Sequence, residues 1–141
     1  MTMNTTLELL QEYGQDYLLL DGRRPCVTDA TVNEEFSLYG IDAAQMDEIL
    51  AEFQDIAGQR LERVSNIREL SGGQQVILAT LLALKSRAKR LMFVNFFLAL
   101  HESKKARLGE MLRQSPKQIH VLENMRYDEA RRRDDHHDSA R

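Results

Sequence analysis

Tryptophan is absent from the 141-residue chain, proline occurs twice and cysteine once. A lone cysteine excludes an internal disulfide and fits a reducing compartment. Cys26 follows Pro25 in a loop with no histidine nearby in sequence, so a catalytic thiol has no local base. With so little proline, and with Leu, Ala, Glu, Gln, Arg and Met plentiful, propensity favours helices over strands. Long apolar runs are missing too. The runs 76–84 and 91–100 are separated by Lys85, Arg87, Lys89 and Arg90, and neither reaches the ~18–20 residues of a membrane span. Met1 to Asn4 is polar and Glu8 and Glu12 follow, which is not the pattern of a secretory leader. The expected location is the cytoplasm.

Bases are missing from one long stretch. Between Val27 and Gln59 there are eight acids and no Lys or Arg. The net charge of −3 therefore hides an asymmetry: residues 1–84 hold 14 acids and 5 bases (−9), and residues 85–141 hold 8 acids and 14 bases (+6). The acidic stretch is suited to a protein partner with a basic surface; the plainer reading is a solvated helical face. At 43% hydrophobic residues the chain can bury a core.

The order of apolar and capping residues predicts an all-α protein. Thr5 or Thr6 starts a first helix to about Leu20, with Leu7, Leu10, Tyr13, Tyr17 and Leu20 on one face. Thr31-x-x-Glu34 forms a capping box for a short helix ending at Gly40. Asp42, with Gln45 three residues on, caps a helix that buries Met46, Ile49, Leu50, Phe53 and Ile56 and ends at Gly58. Residues 59–70 form a connector, and Ser71-Gly72-Gly73 starts a helix to about Leu84. Residues 88–113 read as one long helix, and Ser115-Pro116 opens a last one to about Arg131. YLLL (17–20) and RLMFVNFF (90–97) compete for β structure but fit the helical context better. The tail from 132 reads as disordered.

Residues 27–78 resemble an acyl carrier protein, especially the carrier domains of polyketide and fatty-acid synthesis. The resemblance rests on F-x-x-Y-G-I-D at 36–42, the acidic amphipathic helix behind it, and V-S-N-I-R-E-L at 64–70. It implies a four-helix carrier-like bundle over 5–84, a two-helix extension over 85–131 and a tail over 132–141. In that family phosphopantetheine is attached through a serine just after the Asp. Here the position holds Ala43, followed by Ala44, so no hydroxyl is available and no cofactor is expected. The implied function is non-catalytic. An acidic face of Asp42, Asp47, Glu48, Glu52 and Asp55 would dock on a basic enzyme or carrier of such a pathway.

A second resemblance competes. L-S-G-G-Q at 70–74 matches the signature of ABC-type ATPases letter for letter, and TVNEEFSLYGI is similar to their helical subdomain. In that family the signature opens a helix whose N-terminus faces a nucleotide γ-phosphate across a dimer. The sequence contains no G-x-x-x-x-G-K-[ST]. Where a strand ending in Asp-Glu is expected it has FVNFFLALH (93–101), and what remains is not expected to supply the nucleotide-holding sheet. This resemblance implies a regulatory or structural helical protein without ATPase activity.

Other groups carry less. His136 and His137 among Asp134, Asp135 and Asp138 are adjacent side chains that seldom converge on a metal, and none is expected. The acids after Arg131–Arg133 cancel that run as a nucleic-acid patch. Phe93, Phe96 and Phe97 lie in a segment apolar on more than one side, expected to pack over the rest of the chain or to form the seam of a homodimer. His101 reads as a boundary residue. No nucleophile–base pair or carboxylate dyad appears, so no enzyme is expected.

Overall fold

A computed structural model describes residues 17–123. Among them are three strands, β1 (Tyr17–Asp21), β2 (Arg90–Val94) and β3 (Gln118–Leu122), forming one parallel sheet in the order β1-β2-β3. Four α-helices accompany it: α1 (Val32–Leu38), α2 (Ala43–Ala57), α3 (Gly72–Lys85) and α4 (Glu102–Gln114), with a 3-10 turn at Ile67–Glu69. The architecture is mixed α/β. The all-α expectation and its carrier-like four-helix bundle are corrected by this sheet.

The error has a physical source. In β2, Leu91, Met92, Phe93 and Val94 are all buried. A strand covered on both faces shows an unbroken apolar run, which periodicity alone cannot tell from a buried helix. YLLLD was open to the same confusion, so the first predicted helix ends in strand where it enters the described residues. Its part before Tyr17 lies outside them. The long helix predicted over 88–113 is divided. β2 ends at Val94, and Asn95, with φ +48, turns the chain before α4 begins at Glu102. Ser115-Pro116 opens no helix. Ser115 Oγ accepts from Lys117 N at 3.2 Å, and Gln118 N bonds Lys89 O at 2.9 Å to start β3. Residues 124–131 of that predicted helix, and the tail, lie outside the described residues.

The register sets Tyr17 beside Arg90 and Asp21 beside Val94; on the other side Arg90 meets Gln118 and Val94 meets Leu122. Alternation then splits the strands between two clusters. Leu20, Leu91, Phe93 and Ile119 join the helices in the main core. Tyr17, Met92 and Val94, with Leu19 and Leu122, gather separately. Helix α4 carries the chain from β2 to the parallel β3, as a parallel pair requires.

The helices between β1 and β2 begin as their sequences specify. Thr31 with Glu34, Asp42 with Gln45, and Ser71 with Gln74 each close a capping box. Gly58 ends α2 in the left-handed conformation, φ +73. Ile49, Phe53 and Ile56 of α2 share the main core with α3, in which every residue from Val76 to Ala83 is buried. The loop after β1 is held by Glu35. This carboxylate is fully buried and accepts from Val27 N and Thr28 N, each at 2.8 Å, which offsets the cost of burying its charge.

Candidate functional site

The first turn of α3 presents backbone donors. Ser71 Oγ accepts from Gln74 N at 3.1 Å, and Gln74 Oε1 accepts from Ser71 N at 2.9 Å. Gln75 N bonds Ser71 O at 2.9 Å. The Gln75 side chain donates to Ile67 O at 3.4 Å and Leu70 O at 3.3 Å, fixing the approach to the turn. Gly72 N and Gly73 N, the first two groups of the helix, are left with no acceptor among the described residues. A Cβ on Gly72 would meet nothing within 4 Å, so its backbone lies open.

Beside this turn is a cavity of about 310 Å³, which Ser71, Gly73 and Gln74 share with Leu100, His101 and Lys104. His101 is the N-cap residue of α4 and makes no side-chain cap bond. Residues of two helix starts and Lys104 therefore line one space, a setting that favours an anion.

The tip of β2 differs. Asn95 N bonds Leu122 O at 2.8 Å and Gly22 N bonds Val94 O at 2.9 Å, tying the three strand ends together. A Cβ on Gly22 would stand 1.8 Å from Asn95 O, so only glycine fits there. The residue after Asn95 is Phe96, which is buried. At the tip of β1, Asp21 is gripped by Arg23, whose Nε lies 3.1 Å from both carboxylate oxygens and whose Nη2 lies 2.6 Å from one. Among the described residues no group of three or more His, Cys, Asp or Glu is placed to hold a metal ion.

The residues singled out in the sequence fall in several places. Ala43 is the exposed first residue of α2, and Asp42 is its cap. Asp47 pairs with Arg63 at 2.5 Å, Glu48 with Lys85 at 3.1 Å, and Asp55 with Arg107. The base-free segment thus meets bases from elsewhere in the chain. Glu52 is half-buried, with one carboxylate oxygen shielded and unpartnered. Phe93, Phe96 and Phe97 are buried and pack on one another with ring centres 5.1–5.3 Å apart. Cys26 is buried and donates to Gln75 O at 3.6 Å. Burial first, and then the Glu35 carboxylate, push its thiol well above the usual range, and the same causes raise Tyr39. Arg131–Arg133 and the His136–His137 cluster lie outside the described residues.

Two residues of this site were not legible. Lys104 stands in a charged segment with nothing to mark it, and His101 read as a boundary residue. The first predicted helix stops at about Leu20, just before Asp21-Gly22, which is a strand end whose glycine is forced by Asn95.

No family model matches the chain, and no curated protein matches it significantly. Solved structures do. One is described as a cobalt transport ATP-binding protein: TM-score 0.56, 21% identity, covering 74% of this chain and 41% of that one. Another is described as an ABC transporter ATP-binding protein from Pyrococcus furiosus: TM-score 0.59, 16% identity, covering 82% of this chain and 60% of that one. At such identities the likeness is one of fold, and this chain spans less than two thirds of either neighbour's length. The acyl-carrier resemblance, with the polyketide or fatty-acid role it implied, is corrected. Its G-I-D turn and acidic helix are the start of a capped helix in an α/β unit. Among the described residues no helix is long and apolar enough to cross a membrane. The fold neighbours are ATP-binding domains of the ABC type, in agreement with the second resemblance.

Proposed function

We propose that this chain is a non-hydrolysing, regulatory or structural counterpart of an ABC-type ATPase unit. Its α3 N-terminus contacts the terminal phosphate of a nucleotide held by another polypeptide. The observation that carries this reading is the pair of N–H groups on Gly72 and Gly73 left without an acceptor among the described residues, at a helix start whose Ser71 and Gly73 line a cavity that Lys104 also borders. They belong to an LSGGQ sequence within a fold similar to ABC ATP-binding domains. Lys104 and the two helix dipoles supply attraction for a phosphate. Asn95 and Phe96 supply no carboxylate at the tip of β2 to hold a metal or activate water. The given sequence contains no phosphate-cradling G-x-x-x-x-G-K-[ST], which fits a nucleotide held by another polypeptide.

The test places a photoreactive residue at His101 in the full chain and irradiates cells or extract with and without added Mg-ATP. The expected product is an ATP-dependent crosslink to a protein that contains G-x-x-x-x-G-K-[ST], lost with Gly72→Asp. Crosslinking that ignores ATP, or that captures only proteins without a nucleotide-holding loop, overturns the reading. Turnover of Mg-ATP by the purified chain overturns its non-hydrolysing part.

A further inference from the structure

A second surface lies on another flank of α4. There a groove of about 470 Å³ runs between α4 and β3. One wall is a stripe of α4, Lys105, Gly109 and Leu112, spaced four and three residues apart. The other is the helix-side face of β3 and the residue after it, Ile119, Val121 and Glu123, at every second position. Phe97 also lines the space. Val121 remains 43% exposed, and β3 pairs only with β2 among the described residues. We propose that this groove docks an amphipathic helix of a partner protein, with an apolar stripe on Leu112, Ile119 and Val121 and acidic residues flanking it.

Shape argues for a helix. The walls are a helix flank and the upper face of an edge strand, the cradle in which a further helix lies beside α4 on the sheet. Gly109 keeps the middle of the α4 wall low. A Cβ there would meet only Arg113 Nη1, at 3.7 Å, so the glycine answers no crowding within the chain.

Charge argues for acids on the partner. Lys105, Arg113 and Lys117 line the groove against one carboxylate, Glu123. Arg113 is engaged by Glu110 at 2.6 Å, and Lys117 Nζ donates to Ser86 O at 2.7 Å and to Ala88 O. The Lys105 ammonium has no partner among the described residues. Glu123 Oε2 is shielded without a hydrogen bond, which a single donor on the incoming helix would satisfy. The inference does not depend on a phosphate contact at α3.

The experiment selects displayed helical peptides on the full-length protein, with counter-selection on Gly109→Gln, which should keep α4 helical while filling the groove. Enriched sequences should repeat apolar residues at i, i+3 or i+4 and i+7, with Asp or Glu beside them. The best peptide, made synthetically, should bind at least tenfold more weakly to Gly109→Gln and to Lys105→Glu. Both variants should melt within a few degrees of wild type. A proline placed mid-peptide should abolish binding. Failure to enrich over the counter-selected variant, selection of extended or basic peptides, or unchanged affinity for both variants overturns the proposal. None of these outcomes touches the ATP-dependent crosslink at His101, so the two readings fail separately.

Discussion

The first turn of α3 and the tip of β2 belong to one α/β unit and carry opposite chemistry. At α3 the backbone offers two N–H groups with no acceptor among the described residues, and Gly73 of this turn shares a cavity with Lys104. At β2 the chain ends in Asn95, held at positive φ, and in the buried ring of Phe96. One end suits a negative charge; the other supplies neither an acid nor a base. The contrast teaches that an open helix start and the chemistry of a strand tip are set independently on this architecture, because each depends on different residues at different element ends.

The largest effect should come from the strand side. Phe93 is fully buried in the central strand against Phe96 and Phe97. Phe93→Ala should cost roughly 3–5 kcal/mol of stability, read from the urea midpoint. A loss under ~1 kcal/mol would mean the sheet is not the core of the unit. Gly22→Ala should come next, at about 1–3 kcal/mol, because its Cβ would press on the backbone of Asn95, which cannot swing aside as a side chain would. An unchanged melting temperature would show that the strand ends are not tied as described.

The helix side should respond less in stability and more in function. Ser71→Ala removes one capping bond and should cost ~1 kcal/mol. Gly72→Asp faces open space and should barely move the melt, yet under the proposed function it should abolish the ATP-dependent crosslink by placing a negative charge at the turn proposed to meet a phosphate. If both variants behave alike in both assays, the turn is merely structural.

This contrast also explains what could be read beforehand. Each helix start is a local problem in four residues. Thr31 and Glu34, Asp42 and Gln45, and Ser71 and Gln74 settle it without reference to the rest of the chain. The strands are a distant problem. Tyr17 finds its neighbour at Arg90, and β2 is apolar because both its faces are covered, which nothing within RLMFV reveals. The candidate site divides in the same way. LSGGQ was legible as a motif, whereas Lys104 and His101 joined it only through the packing of α4.

Alkaline pH gives a prediction between these scales. Cys26 and Tyr39 are both raised by burial. Above the unfolded thiol's ~8.5, and again above the phenol's ~10, the native state holds protons that the unfolded chain has released, so stability should fall as pH rises. Below pH 8 these two groups should contribute no slope. Thiol-reactive dye at pH 8 should label Cys26 only after denaturation; rapid labelling of the native protein would contradict its burial.

The smallest effect concerns the acidic segment. Its charge looked free in the sequence because no base lies between Val27 and Gln59. In the fold, Asp47, Glu48 and Asp55 meet Arg63, Lys85 and Arg107. Exposed pairs of this kind are worth about 0–1 kcal/mol, since solvent and salt screen them. A double-mutant cycle on Asp55→Asn and Arg107→Gln should therefore give a coupling of ~0.2–1 kcal/mol at low salt that shrinks further in high salt. Glu48→Lys should likewise change stability by under ~0.5 kcal/mol, apart from a small repulsion with Lys85. A coupling indistinguishable from zero at low salt would mean that these acids are not committed to their own chain. They would then be available to a basic partner, and the division of labour between α3 and the remaining surface would need a third site on α2.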